Sequence, residues 1–367
     1  MKTKISKSKF AAACKVIRPL MDKDLLSDLS LLRIDAAGDN VSLTGGNSNI
    51  QVEIRMAGST DAPGMEIVNG AQVERFVGTM PEGVVSFDTK GANLHVTSGE
   101  GIKFKMKTGD AAKFRTMPGP GDDAVAALTI PAQTFREMFR KVRYASGADL
   151  NRAVLIGVCC EWAGGTLSLV ATDGRRLSHI ETACDLSEGG EFQVVLPKRA
   201  VATLYGLLDC DGDVDIRIGA NAMRVTGPEW CVTSSYVDGK YPSWRKIIPE
   251  TVAHEAKIDR VEFLEALRRA AAASSGSDLP VVEISLANGA LSIAATGQDA
   301  SAKMDIATCE IADGATLVRK FNPVLLSEAL ESVDEDSFSW FFNDGGEIAV
   351  LRSSLPWVAV VMPVCQN

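Results

Sequence analysis

The sequence predicts an α+β protein of three tandem modules, each with two helices packed on antiparallel sheets. Three observations predict it. First, the strand motif Val41-Ser42-Leu43-Thr44-Gly45-Gly46 returns as Leu167-Ser168-Leu169-Val170-Ala171-Thr172 and as Leu291-Ser292-Ile293-Ala294-Ala295-Thr296. The interval of roughly 125 residues suits whole domains rather than a solenoid. Second, one helix pattern precedes each copy. Third, alternating runs such as Val214–Ile218 and Phe338–Phe342 follow, as half-buried strands require.

The elements follow in order. Phe10, Ala13, Cys14 and Ile17 recur as Phe135, Met138, Phe139 and Val142, and as Phe263, Ala266, Leu267 and Ala270. That i, i+3, i+4, i+7 spacing puts each quartet on one apolar stripe of a helix. Pro131 suits a first helical turn, and Asp259 followed by Glu262 resembles a capping box. A second helix is expected near Ala71–Val77, Arg199–Leu208 and Pro323–Leu330. Pro118-Gly119-Pro120-Gly121-Asp122-Asp123 and Pro249-Glu250-Thr251 read as junctions, which gives modules over 1–120, 124–248 and 251–367.

The polar side of the first helices carries a functional hint. Five residues after each leading Phe stands a cation, Lys15, Arg140 or Arg268, about 140° around the helix and so off the core stripe. Residues 1–21 hold Lys2, Lys4, Lys7, Lys9, Lys15 and Arg18 without Asp or Glu. The middle module adds Arg136, Lys141 and Arg143, with Lys198 and Arg199 at its second helix, and the last adds Arg260 and Arg269. Yet 38 Lys and Arg against 47 Asp and Glu leave a net charge of −9. Cations gathered on one repeated face of an acidic body predict a phosphate-facing surface.

With 46% hydrophobic and 23% charged residues, the chain is able to bury three cores. No run is long and apolar enough for a membrane span, and the Lys-rich start lacks a signal peptide's apolar run, so the expectation is cytoplasmic. The eight cysteines show no Cys-x-x-Cys. Cys159-Cys160 sits in an apolar run and reads as buried thiols, and neither zinc nor disulfides are expected.

Several motifs reduce to turns. In Asp209–Asp215 the Gly falls at position 4 of a would-be calcium loop and position 12 is Ala220, so the EF-hand spacing fails. No Gly-rich phosphate loop with Lys-Ser/Thr, His-Glu-x-x-His or Gly-x-Ser-x-Gly occurs. Asp173 and His179 lack a nucleophile or a second carboxylate to work with, so no enzyme is expected. Asp173-Gly174 marks a turn that would put Arg175, Arg176 and Leu177 at a surface. This turn is richer than its counterparts Asn47-Ser48-Asn49-Ile50 and Gly297-Gln298-Asp299-Ala300, so something is asked of the middle module alone.

Ala171-Thr172-Asp173-Gly174-Arg175-Arg176-Leu177, the run Asp238–Pro249 and the end Val360-Val361-Met362-Pro363-Val364 closely resemble the bacterial DNA polymerase III beta subunit, the sliding-clamp family. The agreement spans all three modules in order. The resemblance implies a non-enzymatic processivity factor without a cofactor. It implies a head-to-tail homodimer ring around double-stranded DNA, with helices inside and sheets outside. It further implies an ATP-dependent clamp loader, and tethering of the DNA polymerase III catalytic subunit and of repair polymerases, ligase and mismatch-repair proteins. The family's peptide pocket falls on Leu155, Thr172, Gly174, Arg175, Arg176, Leu177, Pro242, Lys246, Ile247, Val360, Met362, Pro363 and Val364. Lys23 and Arg152 match its DNA-contact positions and join Lys15, Arg136, Arg140, Lys198, Arg199 and Arg268. Ala153 and Val154 replace frequent aromatics, which weakens any expectation of base stacking. Arg175 stands where His is usual, and Gly45–Ser48 and Cys365-Gln366-Asn367 also depart from the family pattern. The competing readings are a clamp-fold DNA scaffold that does not close, and a hydrolase using Asp173 and His179.

Overall fold

The computed structural model describes residues 1–21, 30–99, 101–121, 123–273, 280–287, 290–297, 301–307, 309–311, 315–343 and 348–364. Among them the α-helices are α1 (Lys7–Ile17), α2 (Gly70–Gly78), α3 (Ala132–Val142), α4 (Lys198–Leu207), α5 (Arg260–Ala273) and α6 (Pro323–Glu331). The expected pairs of helices are thus present in every repeat, with ends shifted by a residue or so. Caps explain where they start. The side chains of Asn69, Asp259 and Asn322 accept from the amides of Gln72, Glu262 and Val324 at 3.0, 2.8 and 2.9 Å, satisfying donors that a first turn leaves over. One expectation is corrected: Pro131 ends the strand Ala126–Pro131 instead of opening α3. The Glu262 carboxylate also accepts from Ala307 N at 3.0 Å.

The apolar quartets face inward as their spacing requires. Phe10, Ala13, Cys14 and Ile17 are buried on α1, with Phe10 5.1 Å from Phe87. Phe135, Met138, Phe139 and Val142 are buried. On α5 Phe263 meets Phe338 and Trp340 edge-on at 5.5 and 5.9 Å, a favourable arrangement of ring quadrupoles.

Packing divides the chain into two compact units: residues 1–134, 185–190 and 202–236, and residues 135–184, 191–201 and 237–367. The middle repeat contributes to both. In the first unit its strand Trp230–Ser235 continues the sheet of the first repeat, with Trp230 opposite Ile54 and Val232 opposite Val52. In the second its strand Arg176–Ala183 pairs with Trp357–Val361 of the last repeat, Leu177 opposite Val360 and His179 opposite Val358. Among the described residues the first unit holds a 13-stranded sheet and the second a nine-stranded and a four-stranded sheet. Joining strand to strand covers the sheet edges that would otherwise lie unpaired at these two junctions.

A buried polar network ties the middle and last repeats inside the second unit. Lys141, expected on the polar face of α3, is fully buried. Its Nζ donates to Ser332 O at 2.6 Å and lies 3.3 Å from Asp334 Oδ2 and 3.6 Å from Glu137 Oε1. Ser178 Oγ donates to Lys141 O at 2.6 Å, and Trp357 Nε1 donates to Ser178 Oγ at 3.0 Å. The reason is helical phase. One position beyond Arg140, a side chain falls on the other flank of the helix, about 120° from Phe135, and there the last repeat's carbonyl and carboxylate make its burial tolerable.

Candidate functional site

The pocket is built on the turn that the sequence singles out. Strand Thr166–Thr172 ends at Thr172, whose Oγ1 donates to Arg176 O at 2.6 Å and accepts from Gly174 N at 3.1 Å. Asp173 Oδ1 accepts from the amides of Arg175 and Arg176 at 2.8 and 3.0 Å, the local bonding for which Asp is favoured in turns. Gly174 has φ +87°, and a Cβ there would lie 3.2 Å from Arg152 Nη1. The left-handed backbone therefore favours glycine here, and the missing Cβ leaves room for Arg152.

Across from this turn runs the short 3-10 segment Leu150–Leu155, with Asp149 Oδ1 accepting from Asn151 N at 3.0 Å. Between the two lies a cavity of about 470 Å³ lined by Leu155, Arg152, Gly174 and Arg175, with Asp149 and Asp173. The pocket is cationic in effect, because Asp173 also binds Arg176 Nε at 3.1 Å while Arg152 and Arg175 make no ion pair among the described residues. Beneath it Leu155, Leu177, Val360, Tyr241 and Trp244 form one apolar cluster, against which Ile247 and Val154 pack.

The structure sorts the residues inferred from sequence. Leu155, Gly174 and Arg175 reach the cavity directly, and Met362 N donates to Arg175 O at 2.8 Å. Val364 N donates to Lys320 O at 2.7 Å, and Pro363 between them is half-buried. Pro242 and Lys246 are exposed on the segment that covers the cluster. Three members do other work. Thr172, Leu177 and Val360 are buried, so Thr172 fixes the turn and the other two form the floor beneath it.

Arg176 is the clearest correction. Expected at the surface, its guanidinium instead pairs with Asp173 and Glu328 and donates to Tyr144 O at 2.7 Å. Alternation along the strand sends it to the face opposite Leu177. Gly147, Ala148 and Asp149 line the cavity and were missed; an Asp before a short turn was their only signal.

The cations divide as well. Lys15, Lys198, Arg199 and Arg268 are exposed on α1, α4 and α5, and Arg136 is half-buried on α3. Arg268 pairs with Glu331 at 3.1 Å. Arg140, expected to be solvated, pairs with Glu137 at 2.5 Å and with Asp334, so its charge is largely neutralised. Arg152 belongs to the cavity wall. Lys23 lies outside the described residues.

Asp173 and His179 do not form an acid–base pair. Asp173 is spent on the turn and Arg176, while His179 packs on Trp244 at 4.4 Å. Burial, chiefly, and Arg245 lower the His179 pKa from 6.5 to about 4, with Glu161 opposing and Arg352 adding. Between pH 6.5 and 4 the unfolded chain then binds a proton that the folded chain refuses. Stability contributed by neutral His179 is complete above 6.5 and lost as pH falls through 4. We expect His179→Gln to flatten this acid limb of the unfolding free energy; an unchanged limb would assign it to other groups. Cys159 and Cys160 are buried as expected, and burial pushes the Cys159 thiol up to about 12.

Comparison with known proteins agrees with this architecture. Profiles of the DNA polymerase III beta subunit match in order: the N-terminal domain over residues 1–118, the central domain over 129–243 and the C-terminal domain over 245–364. The beta sliding clamp of Pseudomonas aeruginosa is 26% identical over 336 residues, 90% of each chain, and that of Bacillus subtilis 22% identical over 345 residues, 91% of each. Crystal structures of the Pseudomonas aeruginosa DNA polymerase III subunit beta and the Bacillus subtilis DNA polymerase sliding clamp superpose over the full length of both chains. Their TM-scores are 0.91 and 0.92 at 24% and 22% identity. With all three domain types present in sequence and in fold, this chain belongs to the DNA polymerase III beta subunit family of sliding clamps, processivity factors rather than catalysts.

Proposed function

We propose that two copies of this chain close head to tail around duplex DNA in the cytoplasm. An ATP-driven loader opens and places the ring, and the pocket at Leu155, Gly174, Arg175 and Met362 holds a short peptide of the replicative polymerase or of a repair protein. The observation that carries this reading is the run of three clamp domains in one chain. Two such chains supply six similar domains, and a head-to-tail contact that closes gives a ring without free ends. The exposed Lys15, Lys198, Arg199 and Arg268 supply diffuse attraction to phosphate, sufficient for sliding. Among the described residues no helix is long and apolar enough to cross a membrane.

Topology makes the reading testable. Direct phosphate contacts are screened by salt on any DNA, whereas a closed ring is held by linkage. Loaded on nicked circular DNA, the labelled protein is expected to stay bound in gel filtration through salt that abolishes ordinary phosphate binding. One cut that linearises the circle should release it. Equal retention on both forms, or equal loss at moderate salt, would overturn the ring, and a monomeric solution mass would favour the open scaffold.

A further inference from the structure

Strand register places a second cavity on the same sheet face as the pocket. Leu177 lies opposite Val360, and Val360 opposite Val350; two residues on, His179 lies opposite Val358, and Val358 opposite Arg352. Side chains two apart share a face, so the row beneath the pocket runs directly into the row His179, Val358, Arg352. That second row floors a cavity of about 470 Å³, walled by Trp244, Arg245, Leu355 and Trp357.

Its chemistry is specific. His179 and Trp244 are only 7% and 3% exposed, yet His179 Nε2 and Trp244 Nε1 have no hydrogen-bond partner among the described residues. The nearest carboxylate, on Glu181, stands 3.6 Å from His179 Nε2, beyond a hydrogen bond. Buried polar atoms are seldom left this way, and a Trp N–H is a donor only. Arg245 stacks over Trp244 at 4.2 Å and is held by Glu161 at 2.6 Å. Arg352 lies 5.7 Å over Phe341 and makes no ion pair among the described residues. Leu355, 42% exposed, adds an apolar rim. Glu181 and Glu250 also border the cavity, but neither is paired with Arg352.

We propose that this cavity is a second docking site for the polypeptide held in the first pocket, taking a segment in which an acidic residue adjoins an apolar one. The carboxylate meets Arg352, and the apolar side chain lies against Leu355 and Pro356. This rests on the reading of the first pocket as a peptide site. Gly174, in the turn at the mouth of the first cavity, and His179, on the floor of the second, are five positions apart, at most about 17 Å. A spacer of about five extended residues is therefore long enough to join the two anchors.

Calorimetry on the intact protein tests the proposal with three peptides. One is a short Leu- and Phe-anchored peptide, the second adds a six-residue Gly/Ser spacer and Asp-Leu, and the third ends in Asn-Leu instead. The Asp-Leu extension is expected to tighten binding about tenfold or more through effective concentration, and the Asn-Leu version should lose most of that gain. Arg352→Glu should abolish the gain and leave the short peptide unaffected, with Arg352→Gln as a milder variant should the reversal fail to fold. A short peptide that binds without any gain from extension overturns the second site alone. A gain that survives Asn-Leu or both Arg352 variants overturns it too. Failure of the short peptide to bind overturns the first pocket and with it this extension.

Discussion

Truncating Lys141 to alanine is expected to lower the stability of the second unit by about 3–5 kcal/mol, the range for breaking a buried charged contact. Two losses add. The buried stem forfeits about 0.8 kcal/mol per methylene, and Ser332 O loses a charge-assisted hydrogen bond of about 1.5–3 kcal/mol. The carboxylates left behind contribute less, because Asp334 is 67% exposed at its side chain and both Asp334 and Glu137 keep Arg140. Lys141→Met retains the stem and should cost only the polar part, about 1–3 kcal/mol. Urea midpoints read by near-ultraviolet circular dichroism, to which Trp357 beside Lys141 contributes, measure both. If the alanine and methionine variants both stay within about 0.5 kcal/mol of the parent, the buried ammonium does not hold these repeats together.

Met362→Ala is expected to weaken binding of a polymerase-derived peptide about 30-fold, the equivalent of about 2 kcal/mol for a lost apolar anchor. Its urea midpoint should not move. Met362 is half-buried beside the cavity, and its backbone bond to Arg175 O does not depend on the side chain. Leu177→Ala answers a different question. At 1% exposure Leu177 is core, and its truncation should cost about 2–5 kcal/mol of stability; weaker binding would then follow from a disturbed floor. Unchanged calorimetric affinity for Met362→Ala would place the peptide elsewhere.

Repetition and periodicity made the fold legible. Each Phe-led quartet turned out buried, and the Asp259 cap fell where α5 begins, because helix phase and turn chemistry are local properties of a few neighbouring residues. The Asp173-Gly174 turn was legible for the same reason, since its hydrogen bonds close within five residues. Burial of charge was not legible. Nothing near Lys141 in the sequence announces Ser332 and Asp334, and nothing near Arg176 announces Glu328.

The sequence by itself determined the threefold repeat, its helices and strands, the enriched turn of the middle repeat and the family, each carried by short-range pattern. The tertiary structure alone decided which cations remain available: Lys15 and Lys198 stay at the surface, Arg268 is exposed but pairs with Glu331, Arg140 and Arg176 are held by carboxylates of their own and the last repeat, and Arg152 turns to the cavity. It also decided that the middle repeat shares its two sheets with its neighbours. The physical reason is range. Helix phase and turn bonding are fixed within a few residues, but the free energy of a charge depends on which distant groups surround it, and strands from different repeats meet only after the chain has folded.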